Sequence, residues 1–247
     1  MTRHFPAGNY RFIPAVFQYS GGVAADPDYE IEHVRFDKPV PLADGFALAA
    51  DHMLGAGRPL TSFCACELRS PGAFSEAGFK AFNEHYVKTL TQWDLFDGTT
   101  NPVARSNVCP EIDAPAEPSF YGFCFTRPSL GARPSFVISG SAENRGGSGS
   151  PSERIVRFRD FSPEAFAEKV SYVVGAIEAR MTEFGFGWGD TTAVQAYTIH
   201  DFHPVMVDAL VRRGAARSGV IWHYARPPVV DLEFELDCRR VSREVVI

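Results

Sequence analysis

The chain has 247 residues, 45% hydrophobic and 13% aromatic with 21 Phe, which is apolar surface enough for one large or two modest cores and excludes a disordered chain. A formal charge of -6 argues against non-specific binding to nucleic acid, which needs a concentrated basic face. No run approaches the ~18 apolar residues of a membrane span, so neither nucleic acid nor membrane is an expected partner.

Met1 to Tyr10 carries early charges and no apolar core of signal-peptide length, so a cytoplasmic setting is expected. The next stretch, Tyr10 to Phe36, reads as a strand meander broken at Gly21-Gly22 and Asp26-Pro27-Asp28. Gly45 to Leu54 has helical spacing, with Asp44 as its N-cap. A strand over Ser62 to Leu68 and an amphipathic helix over Phe74 to Trp93 follow, then strands starting at Ala104 and spanning Ser119 to Thr126. The order then repeats: a strand at Ser135 to Gly140, a helix over Pro163 to Glu183 capped by Ser162, and a strand at Thr192 to Ile199. A shorter helix over Pro204 to Arg213 comes next. Last is the alternating run Val230 to Asp237, which puts Leu232, Phe234 and Leu236 on one face and Asp231, Glu233, Glu235 and Asp237 on the other.

The tripeptide Ala-Arg-Ser occurs at Ala104-Arg105-Ser106 and again at Ala216-Arg217-Ser218, each time ahead of an extended run. With the repeated element order it predicts an α+β fold of two tandem units, residues 1–128 and 129–247. Each is β-β-α-β-α-β-β with helices on one face of a small sheet.

Five cysteines, Cys64, Cys66, Cys109, Cys124 and Cys238, lack C-x-x-C spacing and read as reduced and packed in strands, with Cys64 and Cys66 sharing one face. No metal is expected from them, nor from His200, His203 and His223, which lack a recognised ligand spacing. The glycine-rich loop Asn144 to Pro151 lacks the Lys-Ser/Thr of a phosphate loop and reads as a lid or a linker.

Motif order carries a resemblance. The first half has Ser20-Gly21-Gly22, Phe79 with Asn83 and Tyr86 at helical spacing, and Ala104-Arg105-Ser106; the second has Ser139-Gly140-Ser141, Ala216-Arg217-Ser218 and Leu232-Glu233-Phe234-Glu235. In these pieces the chain resembles the Rid (YjgF-like, L-PSP) reactive-intermediate deaminases. The resemblance implies two tandem YjgF-like, chorismate-mutase-like domains. It also implies cofactor-free hydrolysis of small imino or enamino carboxylates to a keto acid and ammonia, and a homo-oligomer, with a trimer among the forms implied. The first half departs from the pattern, because Phe120 to Cys124 has no acid; the second lacks the helix asparagine and has Ser141 in place of a glutamine.

The second unit therefore carries the expected catalytic pair. Arg217 offers a planar fork for a carboxylate, and Glu233 holds water or delivers a proton. Substrate-binding candidates are Arg105, Asn83, the backbone at Ser139 and Gly140, and Arg226; the first unit is either degenerate or a wall of a shared site. In isolation such an arginine and glutamate are most often a structural pair. Two further readings stay open. Trp222 to Arg226 resembles a strand of the chorismatases, which suggests hydrolysis of chorismate, and the incomplete motifs suggest a non-catalytic module that binds a small carboxylate.

Overall fold

In the computed structural model, which describes all 247 residues, the chain starts with three short strands, β1 (Arg3–Phe5), β2 (Tyr10–Phe12) and β3 (Gly22–Ala25). A β-α-β-α-β-β run follows: β4 (Tyr29–Pro41), α1 (Leu42–Gly55), β5 (Phe63–Arg69), α2 (Glu76–Gln92), β6 (Ala104–Pro110) and β7 (Ser119–Pro128). Then come β8 (Phe136–Ala142), the one-turn α3 (Pro151–Arg154), α4 (Pro163–Phe184), β9 (Ala193–Tyr197) and α5 (His203–Met206). The chain closes with β10 (Ile221–His223), β11 (Ala225–Arg226), β12 (Glu235–Arg240) and β13 (Arg243–Val246).

The two halves build the same ladder. In the first, β4 pairs antiparallel with β7, β7 antiparallel with β5, and β5 parallel with β6. In the second, β8, β12, β9 and β10 pair in the same senses. The sheets nevertheless cross the 128/129 division. Residues 3–25 add β1 to β3 to the second sheet through β3 and β8, while β11 and β13 extend the first at its β6 and β4 edges.

Each sheet buries one face under its helices. The α4 stripe Phe166, Val170, Val173, Val174, Ile177 and Met181 packs on Ile138, Val194, Leu236 and Cys238. Ser162 caps this helix by accepting the Ala165 N–H at 3.3 Å, an interaction worth about 1 kcal/mol. Gly185 ends it at φ 81°, a left-handed conformation that glycine adopts without strain. On α2, Tyr86, Val87 and Leu90 join the core, and Asn83 is buried beside them.

The opposite faces of the two sheets meet through an unusually polar layer. Arg239 of β12 donates to Glu67 of β5 at 3.0 Å and to Glu244 of β13 at 2.9 Å, and His33 lies 3.2 Å from Glu67. Gln195 bridges Asp237 at 2.9 Å and Glu67 at 3.3 Å, and Tyr197 donates to Asp237 at 2.9 Å.

Several expectations change here. The first helix starts at Leu42, with Pro41 at the cap and Asp44 inside its first turn. The terminal strand starts at Glu235, not Val230, although its alternation holds: Phe234, Leu236 and Cys238 face α4 and Glu235, Asp237 and Arg239 face the other sheet. A bulge at the start of β5 places Cys64 between the sheets and Cys66 on the helix side, so the two do not share a face. The helix expected over Pro204 to Arg213 is one α-turn followed by a π-turn, Val207–Val211. The second Ala-Arg-Ser does not enter a strand, because Ala215–Arg217 is a 3-10 turn ahead of β10.

Candidate active site

A cavity of about 610 Å³ opens between the two halves. The first half contributes Asn83 from α2 and Arg105 and Asn107 from β6; the second contributes Gly140 from β8, Arg180 from α4 and Glu235 from β12.

Arg105 is held by its surroundings. Its Nη2 donates to Asn83 Oδ1 at 2.7 Å, and its guanidinium carbon lies 4.7 Å from the Tyr86 ring centroid and 5.1 Å from that of Tyr19. The backbone is pinned as well: the Arg105 N–H donates to Ser139 Oγ at 3.0 Å, and that hydroxyl donates to the Ser20 carbonyl at 2.6 Å. Arg105 Nη1, Asn83 Nδ2 and Asn107 Nδ2 are buried donors with no protein acceptor. A buried unmatched donor costs about 1–3 kcal/mol, so three together beside one cavity make a wall suited to an anionic, acceptor-rich group.

Glu235 faces this donor set. Burial pushes its pKa up to about 8, and the nearby Asp237 carboxyl adds to the rise against the opposing fields of Arg105 and Arg69. The group is therefore a carboxylic acid at neutral pH, able to give a proton to a bound molecule. Gly140 makes room for it. A Cβ at that position would overlap Glu235 Oε1 and come within 3.2 Å of Ser106 Cβ.

The residues named from sequence divide accordingly. Arg105, Asn83 and Gly140 share the cavity. Ser139 sits behind it, with its N–H donated to the Gly21 carbonyl at 3.2 Å and its hydroxyl spent on the staple, so it has no free donor for a developing oxyanion. Glu233 points elsewhere, 2.7 Å from His200 in a separate cavity of about 230 Å³. Arg226 pairs with Glu111 at 2.9 Å and lies 3.6 Å from Glu233. Arg217 is exposed in its 3-10 turn and lines neither cavity, so the expected Arg217–Glu233 pair does not form. The physical reason is the missing strand: a strand would hold the side chain on one face of the sheet, whereas Arg217 on this turn is exposed to solvent.

Three residues of the cavity escaped sequence reading, Asn107, Glu235 and Arg180. Glu235 was one of four acids on the same face of an alternating run, and only the start of β12 at Glu235 and the space at Gly140 separate it from Glu233. Arg180 follows Ile177 and precedes Met181 on α4, a position that reads as the solvent edge of an amphipathic helix.

The cleft thus gathers unmatched donors and a buried carboxyl from both halves of an α+β chain. The sequence matches the family model of the 2-aminomuconate deaminase CnbZ over residues 2–245, and the chain belongs to that family, an enzyme family acting on a C–N bond. The 2-amino-5-chloromuconate deaminase of Comamonas testosteroni is 48% identical over 245 residues, 98% of each chain. Among solved structures, a chorismatase aligns with TM-score 0.46 and 13% identity over 90% of this chain and 77% of its own. A member of the YjgF/YER057c/UK114 family from Mycobacterium tuberculosis aligns with TM-score 0.31 and 13% identity over 47% of this chain and 82% of its own.

Proposed function

We propose that the chain hydrolyses a 2-aminomuconate-type enamine, through its imine tautomer, to the 2-oxo acid and ammonia. In this reading it is a tandem of two YjgF-like units, supported by the shared strand order of its halves, with one site between them. The observation that carries the reading is the meeting of Arg105, its unmatched amide neighbours and protonated Glu235 in one cleft.

The steps balance without a redox partner. Arg105 and Asn83 hold the carboxylate next to the nitrogen-bearing carbon through charge-assisted hydrogen bonds. The Glu235 carboxyl gives its proton to the enamine carbon chain, and the nitrogen lone pair becomes the C=N bond of an iminium. Water adds to that carbon while Glu235 takes back a proton, forming a carbinolamine. Glu235 then protonates the nitrogen, ammonia leaves with the C–N electron pair, and the hydroxyl proton returns to Glu235 as the C=O bond forms. Water, a carboxylate clamp and one acid–base group suffice for this sequence, and general acid–base help is worth about 10²–10⁴-fold.

The test is ammonia release from freshly prepared 2-aminomuconate. Arg105→Ala should lower kcat/KM by roughly 10- to 100-fold, the worth of hydrogen bonds to a charged group. Turnover by that variant at the parent rate would refute the assignment.

A further inference from the structure

Five cations line the cavity, and all but two have something else to do. Arg154 pairs with Glu76, Lys80 lies 3.8 Å from Glu84, and Arg145 is exposed at the rim, its guanidinium carbon 6.0 Å from the Tyr172 ring centroid. Arg105 and Arg180 remain, one from each half. No carboxylate lies within ion-pair distance of Arg180; its Nη1 donates to the Ser139 carbonyl at 2.9 Å and the Gly140 carbonyl at 3.4 Å, leaving Nε and Nη2 without a protein acceptor. Partial burial depresses its pKa, the sign of a guanidinium that has lost part of its water without a paired anion. Pairing at an exposed rim is worth little, whereas a desolvated cation gains much from an anionic ligand.

We propose that Arg180 is the receptor for a second carboxylate and makes the site selective for dicarboxylates. This rests on the deaminase reading for the identity of the first carboxylate, held by Arg105, but the selectivity stands on the geometry of the two arginines. Glu235 lies close enough to feel both guanidinium charges, so a diacid spanning them has its reacting carbons beside the acid. A monocarboxylate of equal length satisfies Arg105 and leaves Arg180 as desolvated and unpaired as before.

The experiment compares trans,trans-muconate with sorbate, the same six-carbon diene lacking one carboxylate, by calorimetry. The parent protein should bind muconate about 10- to 100-fold more tightly. Arg180→Gln should erase that preference while sorbate binding hardly moves, and Arg180→Lys should restore part of it. Equal affinities for the two ligands in the parent would overturn the proposal. So would an Arg180→Gln variant that weakens both alike, because that is the signature of a prop for β8 at Ser139 and Gly140. Neither ligand is an amine, so these outcomes are independent of whether 2-aminomuconate is turned over; absence of ammonia release with muconate preference intact would sink the deaminase reading alone.

Discussion

Glu235 is costly to the fold at working pH, and that cost gives it a measurable signature. Its pKa is raised from the ordinary carboxylate range to about 8, so the native state holds a proton that the unfolded chain releases between about pH 4.5 and 8. Stability from this group is complete below the unfolded value and is lost as pH rises through the folded one. Glu235→Gln should therefore be more stable than the parent at pH 9, by on the order of a few kcal/mol, with the gap closing toward pH 4 in denaturant titrations. The neighbouring glycine makes a complementary prediction. Gly140→Ala must displace the Glu235 carboxyl, so it should cost about 1–3 kcal/mol of stability and cut kcat far more than that loss explains.

At the level of elements, the helices were the most legible part of the chain, because their apolar residues recur every three or four positions and their caps are chemically explicit. Ser162 and Gly185 bound α4 as the sequence suggests, and Ser75 caps α2 by accepting the Gly78 N–H at 3.1 Å. The short strands were less so. A tripeptide such as Ala-Arg-Ser has no conformation of its own, and its second copy follows Gly214 at φ 125° into a 3-10 turn while the first is paired along β5. Arg105, Asn83 and Gly140 could be named from residue type and motif order, but the choice between Glu233 and Glu235 needed the strand boundary. Arg180 gave no signal, since its environment is made by β8, β12 and Tyr19, all distant from it in sequence. The α3 turn and the loop before it are tied across the cleft by Arg154 and Glu76. An exposed pair of this kind is worth about 0–1 kcal/mol, so Glu76→Ala should leave the melting temperature nearly unchanged and raise KM if the strap covers bound substrate.

At the scale of the whole molecule, the two sheets meet through a polar layer as well as through apolar packing. Burial alone would raise the Glu67 pKa, but Arg239 and His33 beside it hold the carboxyl well below the usual range. Its contribution to stability is present above the unfolded carboxylate value and is lost as pH falls through the folded one. Glu67→Ala leaves Arg239 with Glu244 alone and should destabilise the protein by about 3–5 kcal/mol, the cost of breaking a buried pair. The exchange of strands between sheets adds a second expectation. Residues 1–128 and 129–247 expressed apart should show no deaminase activity even when mixed briefly, because each lacks one wall of the cleft and strands of its own sheet.

In the proposed mechanism a protonated Glu235, facing Arg105 across the interface of the two halves, drives C–N hydrolysis. The pH dependence of kcat with 2-aminomuconate between pH 6 and 10, for the parent and for Glu235→Gln, addresses it most directly. Parent activity should fall as pH rises through about 8, where Glu235 loses its proton, and the variant should be about 10²–10⁴-fold slower with that alkaline limb gone. A variant that keeps both the parent rate and the same alkaline limb would show that Glu235 is not the acid.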